Sequence, residues 1–406
     1  MKENIIDNYK NYVIGSYTRS GLVFVKGSGS YLWDDKGKKY LDFFPGWAVS
    51  GIGHCHPYVV DAIKEQAETL IHIANNHFHP YQGLLAKKLV EVSFDGKVFF
   101  CNSGAEANEA AIKLTRLHGG RTGRYKIISM ENSFHGRTLA TVTMTGQPKY
   151  SKPFEPLPAG FSYVPFNDFE TLEKTVDNRT AGIIIEPIQG EGGINVSDKE
   201  YLTKVSLLCK EKDILLIFDE VQTGFGRTGK FFGYQNFDIT PDIITLAKTL
   251  GGGFPVGAMI AKKEVADMMV PGTHASTFGG SPLACRSCLA VIDAIEQEKL
   301  LNNVNVMGKY LYKKLESLKK DYKFIKNVKG LGLMLAIELN GQGASIVDIC
   351  TQKGLLINCT HENVLRIMPA ITTNKQEIET AIEIIKDSLS IYEKSLFDNK
   401  VSTGHE

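Results

Sequence analysis

The stretch Ile214-Leu215-Leu216-Ile217-Phe218-Asp219-Glu220-Val221-Gln222 decides the fold: five apolar residues end abruptly on two acids. A short, unbroken apolar run suits a strand covered on both faces, as in a parallel sheet. An uncompensated carboxylate at the end of such a strand is costly. Asp219 therefore needs a cationic partner; a helix N-cap or a metal-facing acid are the other readings. A metal would require further carboxylates or histidines at close spacing, and none follows here.

Similar runs occupy 97–101, 125–129, 182–186 and 243–246, alternating with helical stretches. That alternation predicts an α/β fold, a doubly wound, mostly parallel sheet in a large domain. Before it, 22–26, 31–34 and 40–43 read as short strands, and 59–70 and 82–92 as helices. After it, a helix over 282–298 leaves the sheet. Helices at 305–319 and 375–396 then mix with strands at 332–339, 355–358 and 364–367. The expected organisation is an N-terminal segment, 1–58, packing with a small α+β domain, 291–406, around a large domain, 59–290.

The 406 residues carry 46 Lys and Arg against 45 Asp and Glu, a net charge of +1. No basic excess exists to neutralise nucleic-acid phosphates. Hydrophobic residues make up 43%, enough for a packed core. No apolar run approaches the roughly 18 residues of a membrane span. The first ten residues, MKENIIDNYK, place acids and amides where a signal peptide needs an apolar stretch, so a cytoplasmic protein is expected. Seven cysteines, an odd number scattered along the chain, suit reduced thiols.

Ligands of open α/β sheets bind beyond the carboxyl ends of the strands, and each predicted strand here ends in a polar cluster. After 97–101, Ser103 is a natural N-cap and Glu106 completes a capping box. The small Gly104 and Ala105 leave helix-start N–H groups open to an anion, typically a phosphate. After 182–186 come Glu186, Gln189 and Glu191 among glycines. After 243–246 comes Lys248, ahead of three glycines. A lysine in a partly desolvated pocket is a candidate Schiff-base amine. Taken singly, these are also an ordinary capped helix, a solvated loop and a lysine reaching past the sheet edge. Together they set a phosphate cradle, an acid and an isolated amine on one edge, which are the needs of pyridoxal 5'-phosphate. Other patterns carry less. Residues 224–229 fit G-x-G-x-x-G without a helix after them. Cys285 and Cys288 lack a second pair for zinc, the histidines at 54, 56, 77 and 79 are too sparse for a metal, and no metal site is expected.

With Ser133-Phe134-His135-Gly136-Arg137-Thr138, the lysine loop and DEVQTGFGRTGK (219–230), the chain resembles class III, or subgroup II, pyridoxal-phosphate aminotransferases. The similarity runs nearly end to end, from Tyr31-Leu32-Trp33 through Gly53-His54-Cys55-His56-Pro57 to Leu365-Arg366-Ile367-Met368-Pro369. It implies a fold-type I transferase and a homodimer with shared sites. Implied cofactor contacts are Ser103, Gly104, Ala105, Phe134 (stacked on the ring), Asp219 (on the pyridine nitrogen), Glu220, Val221, Gln222, Lys248 and, from a neighbouring subunit, Thr277. Implied substrate contacts are Arg137, Ser276, Arg366, Glu191 and, more loosely, Asn75. Lys248 and Asp219 would be catalytic. The implied reaction moves the ω-amine of an acylated diamino acid, N2-acetyl-L-ornithine, to 2-oxoglutarate. Succinyl-diaminopimelate, ornithine, 4-aminobutyrate and diaminopelargonate are rival donors. A nicotinamide-dependent oxidoreductase using 224–229 is the rival from another class. Trp47, Ser50 and the segment 74–77 depart from the family pattern and bear on acyl selectivity.

Overall fold

The computed structural model describes residues 2–402; Met1 and 403–406, which the expected terminal units include, lie outside the described residues. A seven-stranded sheet forms the centre. Its spatial order is Gly96–Cys101, Gly257–Lys262, Ile243–Leu246, Leu215–Asp219, Thr180–Ile185, Lys126–Met130 and Phe161–Val164. All run parallel except Gly257–Lys262, which is antiparallel to both neighbours.

Strand alternation sorts the core into two layers. Ile184, Leu215, Ile217, Ile243 and Met259 pack with Ala110, Ala111 and Leu114 of the helix Gly104–Gly120. Ile183, Ile185, Leu216, Phe218, Ile244 and Ile260 face the other way. There they meet Leu202 and Val205 of Lys199–Lys212 and the apolar side of Pro282–Gln297. Both sheet faces are covered, which is why the strands read as unbroken apolar runs.

The C-terminal third holds an antiparallel sheet ordered Ile325–Leu331, Met334–Leu339, Val364–Ile367 and Asn358–Thr360, backed by the helices Leu300–Leu318 and Lys375–Ser402. Phe24–Ser28, Tyr31–Asp34 and Lys39–Asp42 form another sheet, completed by Leu355–Leu356, which pairs in parallel with Lys39–Asp42. The chain's first strands are thus hydrogen-bonded to its last third.

Several expectations needed correction. The strand expected over 332–339 is the second arm of a hairpin that turns at Gly332, where φ is +61°. The span 355–358 is broken between two sheets. The edge strand Phe161–Val164 and the antiparallel Gly257–Lys262 were not anticipated, nor was the helix Lys2–Tyr12. After Gly229 the chain continues as turns and a short 3-10 segment, Gly233–Asn236, so no helix follows the glycine motif. Among the described residues, no helix is long and apolar enough to cross a membrane.

Candidate functional site

A cavity of about 460 Å³ opens at the carboxyl ends of the central strands. Its wall includes Ser103, Gly104, Ala105, Phe134, Arg137, Glu186, Glu191, Asp219, Val221, Gln222 and Lys248. Residues far apart in sequence converge because parallel strands all end at the same edge.

Asp219 is buried at the end of its strand. One carboxylate oxygen, Oδ2, lies 2.8 Å from His135 Nδ1 and accepts from Asn108 Nδ2 at 2.8 Å. The other, Oδ1, accepts from the Val221 N–H at 3.0 Å. The ring of His135 and the amide of Asn108 together hold this buried carboxylate. Asn108 is not legible from any spacing along the chain. It also donates to the His135 carbonyl at 2.7 Å and accepts from the Thr245 hydroxyl at 2.8 Å. One amide therefore ties together the helix after Ser103, the strand ending in Asp219, the strand leading to Lys248 and the loop carrying Phe134.

Lys248 follows that last strand with φ +51°, a left-handed conformation unusual for a non-glycine residue. Burial holds its ammonium below the ordinary lysine range, offset in part by Glu191, Asp219 and Glu186 and reinforced by Arg366. The amine is thereby biased towards its neutral, nucleophilic form.

At the head of the helix Gly104–Gly120, Ser103 Oγ accepts from the Glu106 N–H at 3.2 Å, as an N-cap should. The return arm of the expected capping box is displaced by one residue. Glu106 accepts from the Asn102 N–H at 2.8 Å rather than from the Ser103 N–H, and also takes the Ser103 hydroxyl at 3.2 Å. Gly104 sits where a Cβ would lie 2.9 Å from Val221 Cγ1, so glycine keeps this cradle open. Opposite, Gln222 has both amide atoms buried and no hydrogen-bond partner within the described chain. Orphaned polar atoms facing a cavity call for a ligand. A helix start for a phosphate, an acid, an isolated amine and an unsatisfied amide together fit the polar groups of a pyridoxal phosphate.

Glu186 is buried, and burial pushes its carboxyl up to about 7. Its two oxygens accept from the Phe134 N–H at 3.0 Å and the Gly190 N–H at 3.3 Å, joining the Phe134 loop to the glycine loop. Glu220 lies elsewhere. Its carboxyl is also raised to about 7 by burial, but it accepts from the N–H groups of Gly233 and Tyr234 and does not line the cavity.

Two arginines flank the cavity. The Arg137 guanidinium lies 3.9 Å from the Tyr150 ring centroid and 5.3 Å from that of Phe134. Arg366, 1% exposed, lies 4.6 Å from the Phe44 centroid and 5.5 Å from that of Trp47. It donates to Glu191 at 2.7 Å and, through Nε, to Asn358 Oδ1 at 2.9 Å. Asn75 and Ser276 sit apart, lining a second cavity of about 370 Å³ with His274 and Phe99. There Asn75 donates to the Ser276 carbonyl at 3.0 Å. Thr277 is exposed beside it. Among the described residues, no cluster of three His, Cys, Asp or Glu is placed to hold a metal.

Residues 15–389 match the family model described as aminotransferase class-III. The acetylornithine aminotransferase of Methanocaldococcus jannaschii is 52% identical over 390 residues, covering 95% of this chain and 98% of the relative. That of Caldanaerobacter subterraneus is 51% identical over 387 residues, covering 94% and 98%. Among solved structures, an ornithine aminotransferase from Toxoplasma gondii with partial occupancy of PLP at its active site superposes with a TM-score of 0.93. It is 31% identical, with 97% and 95% of the two chains covered.

Proposed function

The chain belongs to the class-III aminotransferases, and on that premise we propose that it uses pyridoxal 5'-phosphate to transfer the ω-amine of N2-acetyl-L-ornithine to 2-oxoglutarate. The products are N-acetyl-L-glutamate 5-semialdehyde and L-glutamate, a step of arginine biosynthesis. The observation that carries this function is the convergence of Lys248, Asp219, the open helix start and the unpartnered Gln222 amide on one cavity.

When bound, the cofactor supplies an amine-accepting aldehyde and a pyridine ring that withdraws electrons from the carbon beside the captured amine. The chain's residues set the rest. Ser103, Gly104 and Ala105 hold the phosphate at the helix start. Phe134 and Val221 would hold the cofactor ring, and Gln222 would satisfy its amide on the cofactor's phenolic oxygen. Asp219, held by Asn108 and His135, keeps a proton on the ring nitrogen. Lys248 would take a proton from the carbon that bears the amine, as general base, and deliver it to the cofactor carbon, as general acid.

Arg137 clamps the α-carboxylate of the donor with a planar fork. Arg366 grips a carboxylate of the 2-oxo acid, the one beside the reacting carbonyl, which the ω-amine donor lacks at its reacting carbon. Glu191 neutralises Arg366 when that carboxylate is absent. One pocket can then take an uncharged amine chain and a dicarboxylic acid by turns.

The active unit in this proposal is a cytoplasmic homodimer in which Thr277 reaches the phosphate of the partner's site, with Ser276 and Asn75 as substrate contacts. Exposed Phe278 beside Thr277 supports a covered face there. Segment 1–58 and residues 291–406 form the smaller unit, in keeping with the strand pairing of Leu355 with Leu41.

An absorbance scan, borohydride reduction and peptide mass spectrometry of the holoprotein test the cofactor link, with the reduced adduct expected on Lys248. An adduct elsewhere, or none, refutes it. A donor panel with 2-oxoglutarate tests the substrate. Acetylornithine should give the highest kcat/KM, and preference for ornithine, 4-aminobutyrate or succinyl-diaminopimelate would move the enzyme elsewhere in its family. Lys248→Ala should abolish turnover.

A further inference from the structure

The residue after Lys248 is Thr249, which is buried and takes no part in the cavity wall. Its hydroxyl donates to the Ala48 carbonyl at 2.9 Å. Ala48 ends a left-handed turn: Gly46, Trp47 and Ala48 have φ of +55°, +61° and +67°, a run that residues with a Cβ rarely enter. The turn is the apex of the stretch 44–51, which covers Arg366 with Phe44 and Trp47 and lends Val49 to the cavity wall.

The two partners of this bond are held unequally. The lysine turn, Lys248–Gly251, has fastenings of its own. The Leu250 N–H donates to the Ala247 carbonyl at 3.0 Å, the Gly252 N–H to the Thr249 carbonyl at 3.0 Å, and the Ser287 hydroxyl to the Gly251 carbonyl at 2.7 Å. The two ends of the loop are tied to the C-terminal third: the Met368 N–H donates to the Phe43 carbonyl and the Ile371 N–H to the Gly51 carbonyl, each at 2.7 Å. Among the described residues, the remaining hydrogen bonds of 45–50 stay inside 45–53, Thr249 alone excepted. Gly51 admits the threonine, since a Cβ there would lie 2.8 Å from Thr249 Cβ and closer still to its hydroxyl.

We propose that Thr249 is a positioning residue for the oxo-acid clamp: its hydroxyl pins the left-handed turn and so keeps Trp47 over Arg366 when Glu191 leaves the guanidinium. This rests on the transamination proposed above, in which Arg366 takes the carboxylate beside the reacting carbonyl. A guanidinium shielded from water holds a carboxylate more tightly, and an aromatic face adds to the hold. Trp47 is itself half exposed and lies 5.5 Å from the guanidinium, so packing alone fixes it weakly. The lysine turn is the post and the loop is what it steadies.

The test uses holoenzyme in its pyridoxamine form. Thr249→Val keeps the shape and removes the hydroxyl, whereas Thr249→Ser keeps the hydroxyl. Both are made in a Trp33→Phe parent, which leaves Trp47 as the chain's one tryptophan. Acrylamide quenching reads the cover directly, and in Thr249→Val its constant should rise about twofold as a pinned turn becomes mobile. Single-turnover kinetics compare 2-oxoglutarate with 4-oxobutanoate, which keeps the far carboxylate and lacks the one beside the carbonyl. In Thr249→Val the preference for 2-oxoglutarate should shrink about tenfold, the worth of one buried hydrogen bond. The rates with 4-oxobutanoate and with the amine donor should stay close to the parent's, and Thr249→Ser should restore both quenching and preference. Equal loss towards all three substrates would place the effect on Lys248 and overturn the assignment, as would unchanged quenching or preference in Thr249→Val. A parent enzyme with no preference for 2-oxoglutarate removes the role given to Arg366 and this proposal with it, a failure recognised by its presence before any change at 249.

Discussion

Gly190→Ala is a small change with a computable consequence. Gly190 has ordinary φ, so the new methyl strains no backbone. A Cβ there would lie 1.7 Å from Gln222 Oε1 and 2.7 Å from its Cδ, and 3.3 Å from Met334 Cε. The first two separations are impossible, and the flexible Gln222 side chain is what must yield. Overpacking of this kind costs about 1–3 kcal/mol. With the amide bound to the cofactor as proposed, moving it also forfeits that hydrogen bond, about 1.5–3 kcal/mol where the acceptor is charged. The dissociation constant of pyridoxal 5'-phosphate should therefore rise about 10- to 100-fold. The decisive assay is a double-mutant cycle with Gln222→Ala, reading cofactor affinity by fluorescence titration. Once the glutamine is trimmed, the methyl has room, and Gly190→Ala should add almost nothing. Additive losses would refute the steric argument and detach Gln222 from the cofactor.

Three further predictions concern neighbouring groups. Asn108→Ala removes a donor from Asp219 and leaves the His135 carbonyl and the Thr245 hydroxyl without this partner. It should destabilise the chain by about 3–5 kcal/mol, visible in urea melts of the cofactor-free protein. Tyr150→Leu removes the ring under Arg137 and should raise KM for the amine donor severalfold more than it lowers kcat, with Tyr150→Phe near wild type in steady-state kinetics. Glu186 is raised from 4.5 to about 7 in the folded chain, so folding takes up a proton between those values. Its stabilising contribution is complete below pH 4.5 and is lost as pH rises through about 7. Thermal midpoints of Glu186→Gln should show a shallower decline over that interval; an unchanged slope counts against the shift. Glu220 contributes a decline of the same sign that this variant leaves intact.

The central strands were legible because burial on both faces leaves an uninterrupted apolar signal, as in Ile243–Leu246, whose ends match the expectation. Gly257–Lys262 was not, since a chain that turns back antiparallel between two parallel strands carries the same apolar composition. Lys2–Tyr12 has a polar sequence with no buried face among its described side chains, so periodicity had little to report. At the site, Asp219, Lys248 and the helix start were readable because each ends its own strand. His135 and Asn108 were not, because their role is set by the distance to Asp219 across three elements rather than by any spacing along the chain. The displaced Glu106 contact shows the same limit at close range: the four-residue pattern was present, but the backbone partner was its neighbour.

The attachment of Glu191 and Asn358 to different sheets gives the Arg366 grip a mechanical asymmetry. Arg366 and Asn358 ride on the C-terminal sheet, whereas Glu191 hangs from the loop that follows a central strand. Sliding one layer over the other would load the Glu191 loop, which is tied to that sheet by Arg366 and by the Thr360 hydroxyl on the Glu191 carbonyl at 2.8 Å, and would leave the Asn358 contact untouched. A shear longer than the Glu191 side chain can follow would work as a latch, releasing one contact while its twin stays fastened.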